Sequence, residues 1–284
     1  MLAVVGTIPN KECPVIDGKV RIDGDRLHIG DRYFTINRGT PALLAAAVKA
    51  CEVLGTPSPF SYLAGDIGLG DGSRRLYEYL TRRLSGADFQ TITFHYLQPD
   101  VDWHNRVMFA IEEMASRPVL IADAGFMYAA KMSGQSSVYD LFTPDVGELA
   151  FLADEQAPHP FYTRGFILQD ENRAPELIAR AYKYGNAARH LLVKGRVDLV
   201  ANHNGVEASI NNYAEKAMEA IGGTGDTLTG MVSVLIDSDM DVLKAATIAA
   251  QANRLAGHYA APTPATQVVE IIRHIPKTLE KLLK

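Results

Sequence analysis

The segment Gly222–Asp226, with the sequence Gly-Gly-Thr-Gly-Asp, has the composition of a phosphate-binding turn. Apolar residues at helical spacing follow it, which predicts a helix from Gly223 to Leu235. Because glycines let a ligand approach the backbone closely, free N–H groups at this helix start can point at one anion, with the helix dipole behind them. Three residues are therefore predicted to form an anion hole and a fourth to contact a nucleotide: Gly223, Thr224 and Gly225, and Thr227.

Asp226 is the residue that gives this turn a chemical role beyond binding. A carboxylate would repel a resting anion, so a simple phosphate clamp does not explain it. It is explained if Asp226 accepts the proton of a hydroxyl that attacks the bound phosphate, and we predict that it is the catalytic base. The alternative is a glycine-rich turn in which Asp226 only caps the helix. The segment has neither a Walker ending nor the spacing of a dinucleotide-binding turn.

Polar side chains also follow other predicted strands. Asp145 and Glu148 are three residues apart at the start of a predicted helix, so both can face one side and hold Mg²⁺ through water. The alternative for this pair is an ordinary acidic first turn. Lys194 and Gly195 end a further strand and are predicted to contact the nucleotide. Asp123 ends another strand at the same edge, where α/β folds bind ligands, or else serves as a cap.

The elements that position these residues alternate between strand and helix along most of the chain. This alternation predicts an α/β fold, with a mainly parallel sheet covered by helices on both faces. We predict a single domain over residues 1–284. The predicted strands are Leu2–Ile8, Tyr62–Ala64, Thr91–Tyr96, Pro118–Ala124, Leu141–Phe142 and His190–Lys194, with a hairpin at Asp198–Ile210; the helices are Pro41–Leu54, Ser73–Leu84, Asn105–Ala115, Ala174–Tyr184, Gly223–Leu235, Met240–Ala261 and Gln267–Leu283.

Residues 14–36 differ in texture from the rest. Asp17-Gly18, Asp23-Gly24 and Gly30-Asp31 separate short alternating stretches, which predicts three or four strands joined by tight turns. Because this small β-flap is inserted between the first strand and the first helix, we predict that it is a lid over the active site. A decorative hairpin and a dimerisation arm are the alternatives.

The composition and charge of the chain indicate which partners and which cellular compartment to expect. The net charge is −5 with no basic tail, so neither nucleic acid nor an anionic membrane is expected to bind. The longest apolar run, Ala42–Val48, is too short to span a bilayer, and the N-terminus shows no basic leader. Cys13 and Cys51 have no metal-ligand spacing, which is typical of a reduced intracellular protein. A soluble, cytoplasmic enzyme is therefore expected.

These motifs together resemble the ribokinase superfamily. The stretch Gly223–Asp226 resembles its Gly-x-Gly-Asp anion hole and catalytic base, and Asp145-x-x-Glu148 resembles its Asn-x-x-Glu metal and phosphate motif. Two earlier stretches, Arg38–Ala45 and Gly65–Ser73, are looser matches to its sugar-kinase segments. The resemblance covers most of the chain and implies a ribokinase-like fold, an ATP (or ADP) and Mg²⁺ requirement, and a flap that often pairs with that of a second protomer in a homodimer.

The back half resembles one branch, the nucleotide-dependent NAD(P)H-hydrate dehydratases, which phosphorylate a hydrate and then eliminate the phosphate. The matching stretches are Thr143–Glu148, Val193–Gly195, the doubled Gly222-Gly223 and the tail Pro264–Pro276. Asp145-Val146 stand where that branch has His-Pro.

Three functions are compatible with these motifs. The first is a kinase that transfers the terminal phosphoryl group of ATP to a hydroxyl of a small metabolite, a sugar or another alcohol. The second is the NAD(P)H-hydrate dehydratase, and the third is a non-catalytic nucleotide-binding regulator. The predicted substrate contacts are Asn10, Arg38, Gly39 and Asp123. No histidine is predicted to take part: His95 and His258 are assigned to core or surface, and Trp103 and His104 to a loop with a packing role.

Overall fold

The computed structural model describes residues 1–157 and 173–284. Within these residues one sheet has the order β11-β10-β9-β8-β7-β6-β1-β5-β2-β3-β4. The six strands from β9 to β5 in this order are parallel, and antiparallel strands flank them on both sides. The predicted α/β fold is confirmed. The strands are β1 (Leu2–Ile8), β2 (Ile16–Asp23), β3 (Arg26–Ile29), β4 (Arg32–Thr35), β5 (Phe60–Gly65), β6 (Thr91–His95), β7 (Val119–Ala122), β8 (Leu141–Phe142), β9 (His190–Val193), β10 (Asp198–Asn202) and β11 (Gly205–Ile210).

Helices cover both faces of the sheet, because the side chains of its central strands are apolar on both sides. In β1, for example, Leu2 and Val4 pack into one core while Ala3 and Val5 pack into the other. The first core is shared with α1, α7, α8, α9 and α10, and the second with α2 to α6. The bounds are α1 (Thr40–Leu54), α2 (Asp71–Arg83), α3 (Val101–Glu112), α4 (Gly125–Met132), α5 (Val146–Ala153), α6 (Ala174–Lys183), α7 (Thr224–Asp237), α8 (Val242–Ala260), α9 (Val268–Ile272) and α10 (Ile275–Leu282).

At one point the backbones of helices α1 and α7 are in direct contact, with no side chain between them. A Cβ at Gly230 of α7 would lie 2.2 Å from the carbonyl oxygen of Leu43 in α1. Only glycine permits this approach, since atoms cannot come that close. The two helices begin side by side at the same edge of the sheet, and both contribute to the site described below.

The predicted flap is present as strands, but it is continuous with the main sheet. Residues Ile16–Lys19 of β2 pair with β5, and the remainder of β2 pairs with β3. Gly24 and Gly30 occupy the two tight turns, with φ of 59° and 60°. The turn predicted at Asp17-Gly18 is wrong, because Gly18 lies within β2 opposite Ser61. Whether β2–β4 act as a lid stays a prediction.

The helices differ from the sequence prediction in three places. Helix α3 begins at Val101 rather than Asn105, because Asp100 caps it by accepting a hydrogen bond from the N–H of Trp103. Trp103 and His104 therefore lie in a helix and not in a loop. Helix α4 was not predicted. The helix predicted at Gln267–Leu283 is divided into α9 and α10, since Pro276 at the start of α10 has no N–H to continue the first one.

No helix within residues 1–157 and 173–284 combines the length and apolar character needed to cross a bilayer.

Candidate functional site

The start of α7 lies at the carboxyl edge of the parallel strands and leaves its backbone N–H groups open. Gly223 precedes the helix with φ of 104°, a conformation that L side chains rarely adopt, and no described side chain caps this N-terminus. A Cβ at Gly223 would lie 3.1 Å from Cα of Arg38. The glycine thus allows the chain before α1 to pass directly over the turn, and Gly223, Thr224 and Gly225 form the open helix start predicted from the sequence.

Asp226 stands in the first turn of α7, almost entirely buried. Its Oδ2 accepts a hydrogen bond of 2.6 Å from the N–H of Gly39, and its Oδ1 lies 3.0 Å from Nε2 of His95. Burial alone would raise the pKa of Asp226. Hydrogen bonds from the His95 ring and the Gly39 N–H, together with the nearby charge of Lys194, outweigh burial, so the pKa of Asp226 lies below its ordinary value. Asp226 is therefore held as a carboxylate in a fixed orientation.

His95 was predicted to be a core or surface residue, and the structure shows it in the core, but in a contact with Asp226 that the sequence did not predict. It ends β6, which lies next to β1, and its fully buried ring reaches Asp226 on one side. On the other side Nδ1 lies 2.9 Å from Oγ1 of Thr40, the first residue of α1. The sequence placed His95 correctly in a strand, but it carried no signal that α7 brings Asp226 to the end of that strand.

Lys194 and Asp123 form a buried ion pair beside Asp226. Nζ of Lys194 lies 2.8 and 2.9 Å from the two carboxylate oxygens of Asp123, which also accepts a 2.6 Å hydrogen bond from Thr229 of α7. Burial would lower the pKa of Lys194, but Asp123 and Glu148 outweigh it and raise the pKa. The alkyl chain of Lys194 also passes Gly225, whose added Cβ would lie 3.4 Å from it. The ammonium group is thus next to the anion hole but already paired.

His95, Asp123 and Asp226 have side-chain atoms that all lie within 4.8 Å of one another. Carboxylates that are almost entirely buried need nearby positive charge or hydrogen-bond donors, because little water reaches them. Here Lys194 faces Asp123, and His95 faces Asp226 at 3.0 Å and Asp123 at 3.8 Å. We name these four residues, His95, Asp123, Lys194 and Asp226, the buried charge cluster.

Asp145 and Glu148 form a capping box at the start of α5. Asp145 Oδ1 accepts from the N–H of Glu148, and Glu148 Oε2 accepts from the N–H of Asp145. One oxygen of each carboxylate remains outside these bonds. Burial raises the pKa of Glu148 to about 8, against the lowering effect of Lys194. The structure brings this pair next to Lys194, because the backbones of Asp145 and Lys194 form a parallel β-bridge. A role in holding Mg²⁺ stays a prediction.

The other predicted contacts divide into those at the site and those behind it. Arg38 is exposed beside Gly222 and Gly223, and Gly39 touches Asp226 directly. The hydroxyl of Thr227 lies 2.7 Å from both Asn253 Oδ1 and the Thr224 carbonyl, so this residue supports the turn from behind.

Gly195 and Asn10 have partners of their own away from the anion hole. The N–H of Gly195 donates to Asp198, which also pairs with Arg254. Asn10 accepts from the N–H of Glu12 in the loop after β1, and no described contact links it to the buried charge cluster.

Tyr96 is a further residue that the sequence did not single out. It follows His95 with φ of 51°, unusual for a residue other than glycine, and Thr7 Oγ1 donates a 2.5 Å hydrogen bond to its carbonyl. Its ring lies against Gly39 and is about half exposed. Burial and the charges of Asp226 and Asp123 raise its pKa, so the phenol is neutral. Strained backbone of this kind is concentrated at functional sites.

Comparison with known protein families gives one match over most of the chain. A family model described as NAD(P)H-hydrate dehydratase matches residues 98–277. This stretch includes Asp123, Asp145, Glu148, Lys194 and Asp226.

Two sequence relatives extend this match. An uncharacterised protein of Methanocaldococcus jannaschii is 42% identical over 243 residues, which are 85% of this chain and 100% of that protein. The bifunctional NAD(P)H-hydrate repair enzyme of Pyrobaculum aerophilum is 26% identical over 260 residues, 86% of this chain. The present chain spans about half of that enzyme, 48% of its length.

Two solved structures have the same fold. A ribokinase-like superfamily protein of Enterococcus faecalis superposes with a TM-score of 0.60 at 16% identity, covering 99% of this chain and 87% of that one. The ADP/ATP-dependent NAD(P)H-hydrate dehydratase of Bacillus subtilis, co-crystallised with ATP/Mg²⁺, gives 0.56 at 16% identity, covering 99% and 89%. At this identity they establish the fold alone, and the predicted ribokinase-like fold is confirmed.

These findings overturn the main functional prediction from the sequence. The family model and the named Pyrobaculum relative both concern NAD(P)H hydrate, not a sugar or another alcohol acceptor. The kinase prediction is wrong, and the resemblance of the back half to the dehydratase branch is confirmed.

Proposed function

This chain belongs to the NAD(P)H-hydrate dehydratase family, and from this premise we propose that it is a nucleotide-dependent hydro-lyase that repairs hydrated NADH or NADPH. The observation that carries the proposal is the position of Asp226. It lies in the first turn of a helix whose N–H groups are open to an anion, and its carboxylate is held ionised by His95 and Gly39. This arrangement suits proton removal from a hydroxyl next to a bound phosphate.

The residues present fit a nucleotide phosphate. The open N–H groups of the α7 start and the exposed guanidinium of Arg38 supply hydrogen-bond donors and positive charge on one side. Lys194, whose alkyl chain passes Gly225, adds positive charge beside the helix start. ATP or ADP, when bound, would supply the phosphoryl group that turns the hydroxyl into a good leaving group.

Asp145 and Glu148 fit a hydrated Mg²⁺, whose charge would oppose the effect of burial and favour the ionised form of Glu148. Each keeps one oxygen outside the capping box, and hard oxygen ligands reached through water are the ones that Mg²⁺ prefers. Such a cation would balance phosphate charge when bound.

In the proposed reaction Asp226 accepts the proton of the hydrate's hydroxyl while the oxygen forms a bond to phosphorus. The bond from phosphorus to the nucleotide breaks, and the nucleotide leaves with one phosphate fewer. The N–H groups of Thr224 and Gly225 stabilise the negative charge on the transferred phosphoryl oxygens. The carbon–oxygen bond then breaks, inorganic phosphate leaves, and loss of a proton from the adjacent carbon restores the ring double bond.

The test is recovery of the dihydronicotinamide absorbance from NADH hydrate. The protein is mixed with the hydrate, Mg²⁺ and either ATP or ADP, and we expect recovery with one phosphate released per NADH formed. Asp226→Asn is the matched control, since it keeps the shape and removes the basic oxygen. Nucleotide binding without recovery of absorbance with either donor would contradict the proposal and favour a non-catalytic role.

We also propose that residues 1–284 act as one domain in which β2–β4 close over this site. Support comes from β2, which belongs to the main sheet at one end and to the flap at the other. Nucleotide and hydrate together should slow proteolysis at the turns around Gly24 and Gly30. Unchanged cleavage rates would contradict a lid, and sedimentation would show whether the same strands pair two copies of the chain.

A further inference from the structure

His95 belongs to a continuous chain of short contacts that begins in β1 and ends at Asp226. The carbonyl oxygen of Thr7 lies 2.8 Å from Oγ1 of Thr40, and that hydroxyl lies 2.9 Å from Nδ1 of His95. Nε2 of His95 lies 3.0 Å from Oδ1 of Asp226. His95 and Thr40 are fully buried. The protons in this chain must therefore be assigned among these groups alone.

The Thr40 hydroxyl has one proton and two neighbours that can accept it. If the proton points to the Thr7 carbonyl, Nδ1 of His95 must donate to Oγ1 of Thr40. Nε2 must also donate, because a carboxylate only accepts, so both ring nitrogens carry protons. If the proton points to Nδ1 instead, the Thr7 carbonyl faces a hydroxyl oxygen at 2.8 Å with no proton between them, which leaves two acceptors in contact. The first assignment satisfies every group.

Charge balance in the buried charge cluster leads to the same assignment. Asp123 and Asp226 contribute two negative charges, and Lys194 contributes one positive charge. With a neutral His95 the cluster would hold a net negative charge in a largely buried place, where little water can solvate it, and this is costly. With a protonated His95 the two carboxylates face two cations and the cluster is neutral.

We propose that His95 is a doubly protonated positioning residue, whose buried imidazolium fixes the orientation of the Asp226 carboxylate and keeps it ionised beside the anion hole. His95 has no exposed surface, so it acts on substrate only through Asp226. The effect on catalysis rests on the proposed function, whereas the protonation state does not. In a catalytic triad the histidine lies nearer the substrate and the carboxylate lies behind it. Here Asp226 is the nearer residue and His95 lies behind it.

Several charged or titratable groups surround this pair and contribute to its behaviour. Asp226 faces His95 from α7, and Asp123 faces it from the end of β7 at 3.8 Å. Lys194, after β9, opposes it through Asp123, and Tyr96 packs on it with ring centroids 4.2 Å apart. Glu148 of α5 acts on Lys194.

The protonation state can be measured directly by ¹⁵N NMR of the histidine rings in the protein of residues 1–284. His95→Gln identifies the His95 signals by their loss. We expect two protonated ring nitrogens at neutral pH, in a range where exposed histidines, with an ordinary pKa of about 6.5, are mostly neutral. In Asp226→Asn the ring should lose a proton. A neutral His95 ring in the wild-type protein at neutral pH would overturn the proposal whether or not the protein repairs NADH hydrate.

His104 provides the matched internal control. It is equally buried, but its partners are the neutral Tyr139 and Ser133, and burial lowers its pKa to about 4. The same spectrum should therefore show one charged and one neutral buried histidine. If both rings had the same protonation state, the charge of His95 could not be due to Asp226, and the proposal would fail.

Kinetics test the positioning role. His95→Gln keeps an N–H donor near Asp226 without the charge, and His95→Leu removes both. We expect kcat/KM to fall about 10-fold for the first and about 100-fold for the second, the range for hydrogen bonds to a charged group. The acid limb of the pH profile should move up by about one unit in His95→Gln, since a nearby cation lowers a carboxyl pKa by about that much or more. An acid limb that stays in place would reduce His95 to a packing residue.

Discussion

Two glycine-rich turns lead into helices in this protein, and they use their backbone donors in opposite ways. The turn before α2 is closed by its own chain: Asp66 Oδ1 accepts hydrogen bonds from the N–H groups of Gly68, Leu69 and Gly70, at 2.9 to 3.0 Å. Its Oδ2 accepts from the N–H and hydroxyl of Ser73. The turn before α7 has no such internal acceptor among the described residues.

The difference lies in where each carboxylate stands relative to its glycines. Asp66 precedes Gly68 and Gly70, so it folds back into the ring of N–H groups and occupies the place of an anion. Asp226 follows Gly225 and points sideways to His95 and Gly39, which leaves the donors open. The donors before α7 are therefore open to a ligand, whereas those before α2 are already occupied by Asp66.

Replacement of each carboxylate by an amide should give the largest difference between the two turns, in activity for one and in stability for the other. Asp226→Asn should lower kcat of the proposed reaction by about 10²- to 10⁴-fold, the usual contribution of a general base, with little change in fold. Asp66→Asn should leave kcat close to wild type. It should lower the free energy of unfolding by about 1–3 kcal/mol, because an amide cannot accept from all the donors of the turn. Steady-state kinetics and urea unfolding measure both; equal losses of activity would contradict the distinction.

A methyl group added to a glycine in each turn should have the next largest effect. Gly223→Ala places a Cβ 3.1 Å from Cα of Arg38 and 3.2 Å from Cβ of Ala42, so the turn must move, and nucleotide affinity should fall by about 10-fold or more. Gly68→Ala meets nothing within 4 Å and only strains a backbone with φ of 93°. It should cost about 1–2 kcal/mol of stability without loss of binding. Calorimetric titration with ATP checks the first, and thermal unfolding the second.

The pH dependence of stability tests whether the α2 turn is closed by an ionised acid. Burial would raise the pKa of Asp66, but hydrogen bonds from Ser73, Gly70 and Gly68 outweigh it and hold the pKa below its ordinary value. Because the pKa is lower in the folded state, the ionised Asp66 stabilises the fold at pH values above the ordinary pKa of about 3.9. This stabilisation is lost as the pH falls through the pKa of the folded state. Wild-type protein should thus lose more stability than Asp66→Asn between about pH 5 and pH 3. Parallel curves in chemical denaturation would show that Asp66 makes no such contribution.

The start of α5 should give the smallest effect, because it is also closed by its own residues. Asp145→Ala removes one half of the capping box and should cost about 1 kcal/mol in urea unfolding. Asp145→Ser keeps an acceptor for the N–H of Glu148 and should recover most of that stability, while a need for higher Mg²⁺ should remain if the carboxylate helps to hold the cation. Full recovery of the Mg²⁺ response by serine would leave Asp145 as a cap alone.

The sequence predicted the fold better than it predicted the contacts within the site. The apolar strands and the end of α1 at Leu54 are local features, and they were placed correctly. The same is true of Gly223–Gly225 as a helix start. The pairing of Asp226 with His95 joins residues 131 positions apart, and no local pattern reports such a contact. Similarly, the sequence predicts that Lys194 contacts the nucleotide, and only the structure shows that Lys194 is paired with Asp123.

The acceptor chemistry was mispredicted for a related reason. The glycine turn and its acid indicate only that a hydroxyl would lose its proton next to a phosphate, and the predicted kinase reaction and the proposed dehydratase reaction share this step. The side chains that would select the substrate come from separate loops, such as those of Arg38 and Tyr96. Their arrangement depends on the whole sheet rather than on spacing along the chain.

The contact of Gly230 with Leu43 makes the starts of α1 and α7 parts of one mechanical unit. Helix α1 supplies Thr40 and is preceded by the Gly39 N–H, α7 supplies Asp226, and the backbones of the two helices touch one turn further on. A side chain at Gly230 would act as a wedge whose displacement is felt at the carboxylate, although it touches no residue of the site. Inactivating substitutions in such a protein can therefore arise at a position that binds nothing and carries no charge.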